Sequence, residues 1–212
     1  MRPAQFALLI CSACTATAEP GPSSPGSLRE QLVRPVRCSV SADDSTGVVA
    51  AERRLPSGGW DAAWVDLAIE DGELVVVAEE AGMLAVQRWE VSIRAIDLPH
   101  DIFDAAAQIT GIRVELAAPA RVVTSWLDDE RARATGVADL ALSWRLTIGD
   151  AQLQLGAPEL RDVPIELSVT GIGNRAEVQL RLHAMGELWS WADIVRLGEL
   201  RMVLDAYGQT GN

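Results

Sequence analysis

The chain has 212 residues, of which 49% are apolar and 23% charged, a composition typical of a folded globular protein. Eighteen arginines, no lysine and thirty acidic residues give a formal net charge of -12, which repels phosphate backbones at long range. Nucleic acid is therefore not an expected partner. The length fits one large all-β domain or two small ones.

The amino terminus has the three parts of a secretory signal peptide. Arg2 precedes an apolar run from Phe6 to Ile10, and Ala16-Thr17-Ala18 is a small-x-small cleavage triplet. The run is too short to cross a bilayer as a helix. Ser12-Ala13-Cys14 resembles the lipobox of bacterial lipoproteins, which makes Cys14 a candidate for lipidation. The alternative is an ordinary buried amino-terminal segment.

The pattern divides the chain into a signal peptide at 1–18, a flexible Pro-, Ser- and Gly-rich linker at 19–29 and a single β-rich domain at 30–212. We expect an exported protein, either periplasmic or anchored to a membrane through its amino terminus. Cys38 is the single cysteine outside the signal region, and a lone cysteine in an alternating strand is more often a small buried hydrophobe than a nucleophile.

Strand patterns dominate from Trp60 onward. Between Ala138 and Ile148 every second residue is apolar, which is the period of a strand with one buried face. Similar alternation occurs at 88–95, 112–116 and 176–184. Asp71-Gly72 between two apolar runs predicts a type I′ hairpin turn, and Gly173-Asn174 predicts another. The spacing Leu-x-Ile-x-Asp-x-x-Leu occurs at 67–74 and again at 146–153, which hints at two related hairpins.

Three segments break the strand pattern. Asp97 can cap a short helix with Pro99 in its first turn. Residues 127–136 are polar and predict a loop or a frayed helical turn. Near the carboxyl end, a capping box predicts a helix from Ser190, followed by a strand with Leu200, Met202 and Leu204 facing inward.

The predicted fold is mainly β: an antiparallel sandwich or a strongly curved sheet of about eight to nine strands with one or two short helices. An apolar sheet face must be covered by a second sheet, a helix, another subunit or a ligand. We expect the sheet to cover most of this face itself.

No catalytic set is evident, and we expect no enzyme, cofactor or metal site. The bases of the histidine type are His100 and His183, and no G-x-S-x-G nucleophile motif occurs. His183 is predicted to be a solvated strand residue. His100 with Asp101 and Asp104 offers fewer ligands than a metal site generally needs.

The tryptophans fall into two groups. Trp89 and Trp144 lie on the predicted inner faces of strands, whereas Trp60, Trp64, Trp189 and Trp191 lie at the edges of segments. An indole can stack on a sugar ring because its face is apolar and its edge is polar. These four edge tryptophans are therefore the candidate ligand-binding residues, the alternative being that they close the ends of the core.

The chain combines export, long strands and no catalytic set. In this pattern it resembles β-repeat proteins that handle lipid or support secretion between bacterial membranes. The leading expectation is a non-enzymatic cell-envelope protein whose curved sheet binds or shields lipid, or docks on an envelope or secretion assembly. The first alternative is a carbohydrate-binding sandwich, which a row of tryptophans on one exposed face would favour. The second is an enzyme of unknown type with a histidine in a cleft beside a carboxylate.

Overall fold

The structure, a computed structural model, describes residues 26–79, 82–98, 106–154, 159–186, 188–191 and 195–210. Within these residues it contains one short helix, α1 (Leu28–Gln31). The strands are β1 (Val36–Val40), β2 (Thr46–Arg54), β3 (Trp60–Leu67), β4 (Ile69–Glu79), β5 (Met83–Ile93), β6 (Ile96–Asp97), β7 (Ala107–Leu116), β8 (Ala120–Trp126), β9 (Arg131–Ile148), β10 (Ala151–Gln154), β11 (Glu159–Ile172), β12 (Arg175–Ala184), β13 (Trp189–Trp191) and β14 (Val195–Gln209).

All described strands belong to one antiparallel sheet that closes on itself, because β1 pairs with both β4 and β14. Pairs of consecutive strands lie end to end and together form one course of the sheet, beside the neighbouring courses: β1 with β2, β3 with β4, β5 with β6, β7 with β8, β10 with β11, and β12 with β13. The sheet therefore has eight courses, each beside the next one in the chain. This confirms the prediction of a mainly β, strongly curved sheet.

The inner face of the closed sheet forms the core. In β9, Ala138, Leu140, Leu142, Trp144 and Leu146 are buried, and the residues between them point outward. Buried side chains from all eight courses belong to the same apolar cluster. The apolar face of β9 is thus covered by the opposite side of its own sheet, which removes it from water without a separate layer.

Helix α1 covers one end of the closed sheet. Ser27 and Glu30 form a capping box, with each side chain accepting a hydrogen bond from the backbone N–H of the other residue. The Leu28 N–H donates to the Asp129 carbonyl at 2.9 Å, and the Leu32 carbonyl accepts from the Ala78 N–H at 2.7 Å. Both leucines are buried, so α1, which begins inside the expected linker at 19–29, packs against the sheet.

The hairpin predicted at Asp71-Gly72 is wrong, because β4 runs through both residues and Gly72 pairs with Val91 of β5. A Cβ atom on residue 72 would lie 2.7 Å from the Glu90 carbonyl oxygen. Glycine is therefore needed there for close strand approach rather than for a turn. The repeated spacing consequently does not mark two equivalent hairpins, since only the second copy holds a turn, at Gly149-Asp150.

Two other local predictions also differ from the structure. Strand β9 begins at Arg131, inside the segment expected to be a loop, and Ser190 lies in β13 rather than at the start of a helix. Tertiary pairing overrides a local capping pattern in such short segments. The helix expected after Asp97 falls mostly outside the described residues.

Other predictions are confirmed. Trp89 and Trp144 are buried in the core, and so is Cys38. Gly173-Asn174 forms the β11–β12 turn, with Gly173 at φ 63°, and Leu200, Met202 and Leu204 face inward from β14. In the part of the chain that the structure describes, no helix is long and apolar enough to cross a membrane.

Candidate functional site

Trp60 and Trp64 lie on the outer face of the same strand, β3. Val65 and Leu67 face the core, so alternation directs Trp60, Ala62 and Trp64 outward. The two tryptophans are four residues apart, which places their Cα atoms about 13 Å apart along an extended strand. Trp64 is 51% exposed, the most exposed tryptophan among the described side chains.

An arginine from β14 stacks on the ring of Trp60. The guanidinium carbon of Arg196 lies 4.1 Å from the ring centroid, a cation–π distance. The Nε of Arg196 also donates to Glu52 Oε2 of the intervening strand β2. The carboxylate thus holds the guanidinium in place, and the guanidinium fixes one face of the indole.

The same arrangement recurs at Trp64. The guanidinium carbon of Arg201 lies 5.0 Å from the Trp64 centroid, and its Nε lies 2.5 Å from Glu199 Oε1. Glu199 also accepts a hydrogen bond from His183 of β12. The hydrogen bond from Arg201, with a further contribution from His183, lowers the pKa of Glu199 despite partial desolvation.

We define the outer strip by its two matching units: Trp60 with Arg196 and Glu52, and Trp64 with Arg201 and Glu199. Each arginine charge is balanced by a carboxylate, so the units carry no net charge. Their polar atoms can donate to and accept from hydroxyl groups beside the indoles. This combination suits a neutral, polyhydroxylated ligand lying along β3 better than a strongly charged one.

A cavity in the described part of the core is too small for a ligand. An apolar cavity between Leu67, Ile96, Trp144 and their neighbours has a volume of about 20 Å³. Such a space accommodates about one water molecule, whereas small-molecule sites usually occupy ~300 Å³ or more. Ser45 and Thr210 are the buried polar residues in the described part of the chain, and the indole nitrogens of Trp89 and Trp144 are buried as well.

The structure brings together two of the four predicted tryptophans. Trp189 and Trp191 lie in β13, in register with Leu197 and Val195 of β14, and their side chains lie outside the description. Cys14, and His100 with its two neighbouring aspartates, also lie outside the described residues. The sequence predicts that His183 is a solvated strand residue. It lies on the outer face of β12, and its side chain is 43% exposed.

Sequence reasoning missed four residues of the outer strip: Glu52, Arg196, Glu199 and Arg201. Glu52 and Arg196 are 144 positions apart in the chain, and their contact depends on the pairing of β2 with β14. The signal that was available is the spacing Trp60-x-Ala62-x-Trp64, because residues at this spacing in a strand share one face.

A second exposed aromatic residue lies on the outer face near β1. Tyr207 is 44% exposed, and its hydroxyl donates to Asp44 Oδ2 at 3.3 Å. Desolvation, together with the nearby Asp44 charge, raises the pKa of this hydroxyl. Tyr207 has no aromatic neighbour in register, because Ser39 and Glu177 flank it.

No group of three or more histidine, cysteine or carboxylate side chains suitable for a metal occurs among the described residues. No protein-family model and no curated protein sequence matches this chain.

Proposed function

We propose that this is an exported, non-enzymatic cell-envelope protein that binds carbohydrate on the outer face of β3. The observation that carries the proposal is the pair of matching units on one strand, each with an indole stacked on an arginine that a carboxylate holds in place. Arginine occupies one face of each ring, and the high exposure of Trp64 leaves indole surface accessible. A sugar can stack there while its hydroxyls meet the charged groups.

Lipid binding, the leading expectation from sequence, receives less support from this geometry. The inner face of the sheet is filled by its own side chains, and the 20 Å³ cavity is far smaller than an acyl chain. Docking on an envelope assembly is the second candidate. It is favoured by the edge of β3, which has no strand partner on its second side among the described residues.

The test is binding of purified peptidoglycan and of neutral hexasaccharides with different linkages, measured by sedimentation and by calorimetry. We expect at least one of these probes to bind. Trp60→Ala and Trp64→Ala should each weaken binding about tenfold, since one stacking contact contributes on the order of 1 kcal/mol beyond burial. Trp64→Phe should retain most of the affinity.

The matched control is Val123→Ala, which removes an exposed apolar side chain from β8, a strand that does not contribute to the outer strip. It should leave binding unchanged. Absence of binding to every probe, or binding that persists in the Trp60→Ala/Trp64→Ala double variant, would overturn the carbohydrate proposal. Lipid that co-purifies and is released only on unfolding would instead favour the hypothesis that the protein binds lipid.

Export is tested separately by the mass and fractionation of the mature protein. Cleavage after Ala18 should yield a soluble periplasmic form, whereas lipidation should yield a membrane form that Cys14→Ser releases. Retention of residues 1–18 in a cytoplasmic product would contradict export.

A further inference from the structure

Strand β3 lies at an edge of the sheet, next to the part that closes on itself. It pairs with β2 along its whole length. On its second side, the chain that follows β5 bonds Ala68 through the Arg94 N–H and then continues into β6, which pairs with β7 rather than with β3. No described strand pairs with that second side. Ala62 and Ala63 are both exposed, so neither face of the middle of β3 is covered.

The hydrogen-bond pattern identifies which residues present backbone groups at this edge. The Leu55 N–H donates to the Gly59 carbonyl at 2.8 Å, which makes this the last bonded pair of the β2–β3 hairpin. Bonded and non-bonded pairs alternate along an antiparallel ladder. The N–H and C=O groups of Trp60, Ala62, Trp64 and Asp66 therefore point away from β2.

The continuation of the strand supports this assignment independently. Ala68 has the same parity, and its carbonyl accepts from the Arg94 N–H at 2.8 Å on the side away from β2. Edge groups that have no partner among the described residues readily accept another strand.

The residues at the edge are symmetric about Ala62, with Trp60 two positions before it and Trp64 two positions after it. We propose that the edge of β3 pairs with β3 of a second copy of this chain, antiparallel, about a twofold axis at Ala62. Ala62 then faces Ala62 of the second copy, and Trp60 faces Trp64 in both directions. All three pairs have the correct parity to exchange both backbone hydrogen bonds.

The side chains fit this register. Cross-strand aromatic pairs are stabilising, and this register places two tryptophan pairs, one on each side of Ala62. Asp61 lies opposite Ala63 and Asp66 opposite Gly58, so no like charges face each other. A register centred on Asp61 would instead place two aspartates opposite each other, which is unfavourable.

Two copies of net charge -12 repel each other at long range, but several charges close to the contact are locally paired. Arg196 is paired with Glu52, Arg201 with Glu199 and Arg53 with Asp61, so each of these carboxylates beside the contact has an arginine near it. Long-range repulsion between the copies is screened at physiological salt. A twofold contact uses the β3 edge of both copies at once, so this edge is then closed to further addition.

The dimer would bring four tryptophans to one outer face, so each copy would complete the surface of the other. The pairing depends on backbone edge groups and does not rest on carbohydrate binding. Failure of carbohydrate binding with an intact dimer would therefore count against the proposed function alone, and the reverse result would count against the dimer alone.

The experiment is sedimentation equilibrium of the wild-type chain and of Ala62→Lys, Ala62→Glu and Ala63→Lys, at about 0.1 mM and below. We expect a wild-type dimer. Ala62→Lys and Ala62→Glu should each weaken association at least tenfold, because each variant places like charges opposite each other. An equimolar mixture of the two should restore the dimer, since opposite charges then face each other.

Ala63→Lys is the matched control, because it adds the same charge one residue away, opposite Asp61 of the second copy. It should retain the dimer. A monomeric wild-type chain, an Ala62→Lys variant that associates like wild type, or a mixture that fails to associate would each overturn the proposal. Circular dichroism of each variant alone verifies folding.

Discussion

Arg201 connects Glu199 to the ring of Trp64. Its guanidinium carbon lies 5.0 Å from the indole centroid, and its Nε lies 2.5 Å from the Glu199 carboxylate. The carboxylate favours this position of the guanidinium, which packs against one face of the indole. In the proposed carbohydrate site, such preorganisation would lower the entropic cost of binding.

The ionisation of Glu199 should therefore be observable at Trp64. Hydrogen bonding to Arg201 lowers the Glu199 pKa, so the carboxylate stays charged until the pH falls below the ordinary range of glutamate. We expect the indole N–H resonance of Trp64 to shift with a midpoint below that range. Because the folded-state pKa is below the unfolded one, the stabilisation from this pairing is present at neutral pH and is lost as the pH falls through the lowered pKa.

Glu199→Gln is the variant that checks this assignment, since glutamine keeps the shape but does not titrate. It should abolish the acid transition of the Trp64 resonance, which Trp64→Phe identifies. A transition unchanged in Glu199→Gln, or a midpoint at the ordinary glutamate value, would disprove the link between these two residues.

Alternation along β9 predicts very different costs for neighbouring substitutions. Leu140 is fully buried, whereas Val137 is 50% exposed on the outer face. Leu140→Ala should lower the free energy of unfolding by about 2 to 5 kcal/mol because it leaves a cavity in the core. Val137→Ala should change it by less than about 0.5 kcal/mol. Urea denaturation measures both, and equal costs would contradict the inner and outer assignment of β9.

The inner face of β9 could be predicted because apolar residues occupy every second position along a continuous segment of the sequence. Closure of the sheet could not be predicted, because it depends on β1 pairing with β14 across most of the chain. The outer strip could not be fully predicted for the same reason, since it also depends on long-range strand pairing. Trp60 and Trp64 are visible in the sequence as one face of a strand, but the arginines that stack on them come from β14 and become neighbours only through long-range pairing.

The failure at Asp71-Gly72 has a different physical cause. Asp-Gly favours a type I′ turn because both residues tolerate positive φ. Glycine serves equally well where a neighbouring backbone approaches closely, and local sequence does not distinguish the two uses. At Gly72 the deciding neighbours are Glu90 and Val40, whose positions are set by the whole sheet.

Gly72→Ala should therefore destabilise the fold through steric overlap. The added Cβ would lie 2.7 Å from the Glu90 carbonyl oxygen and 2.9 Å from Val40 Cγ2, and overpacking of this kind typically costs about 1 to 3 kcal/mol. The matched control is Gly198→Ala, where the nearest atom is a side-chain oxygen of Glu52 at 3.3 Å rather than a backbone carbonyl at 2.7 Å. Thermal unfolding compares the two, and a Gly72→Ala variant as stable as Gly198→Ala would refute the close-approach explanation.

Cys38 should be unreactive in the folded protein and should make stability sensitive to alkaline pH. Its side chain is buried, and desolvation raises the pKa of the thiol from 9.0 to about 11. The unfolded chain loses its thiol proton first as the pH rises, so stability present below pH 9 is lost towards pH 11. The free energy of unfolding should fall by about 2 to 3 kcal/mol because of this site, since a pKa shift of one unit corresponds to about 1.36 kcal/mol.

The comparison that isolates this effect is wild type against Cys38→Ala, both with Cys11 and Cys14 replaced by serine. Alanine is the suitable replacement because Cys38 Sγ packs closely against Gly208 of β14, where a larger side chain would not fit. The difference in the free energy of unfolding should shrink between pH 9 and pH 11. A thiol reagent at pH 8 should modify Cys38 only as fast as the protein opens. Rapid modification of the native protein would show that the thiol is accessible and would contradict its burial between β1 and β14.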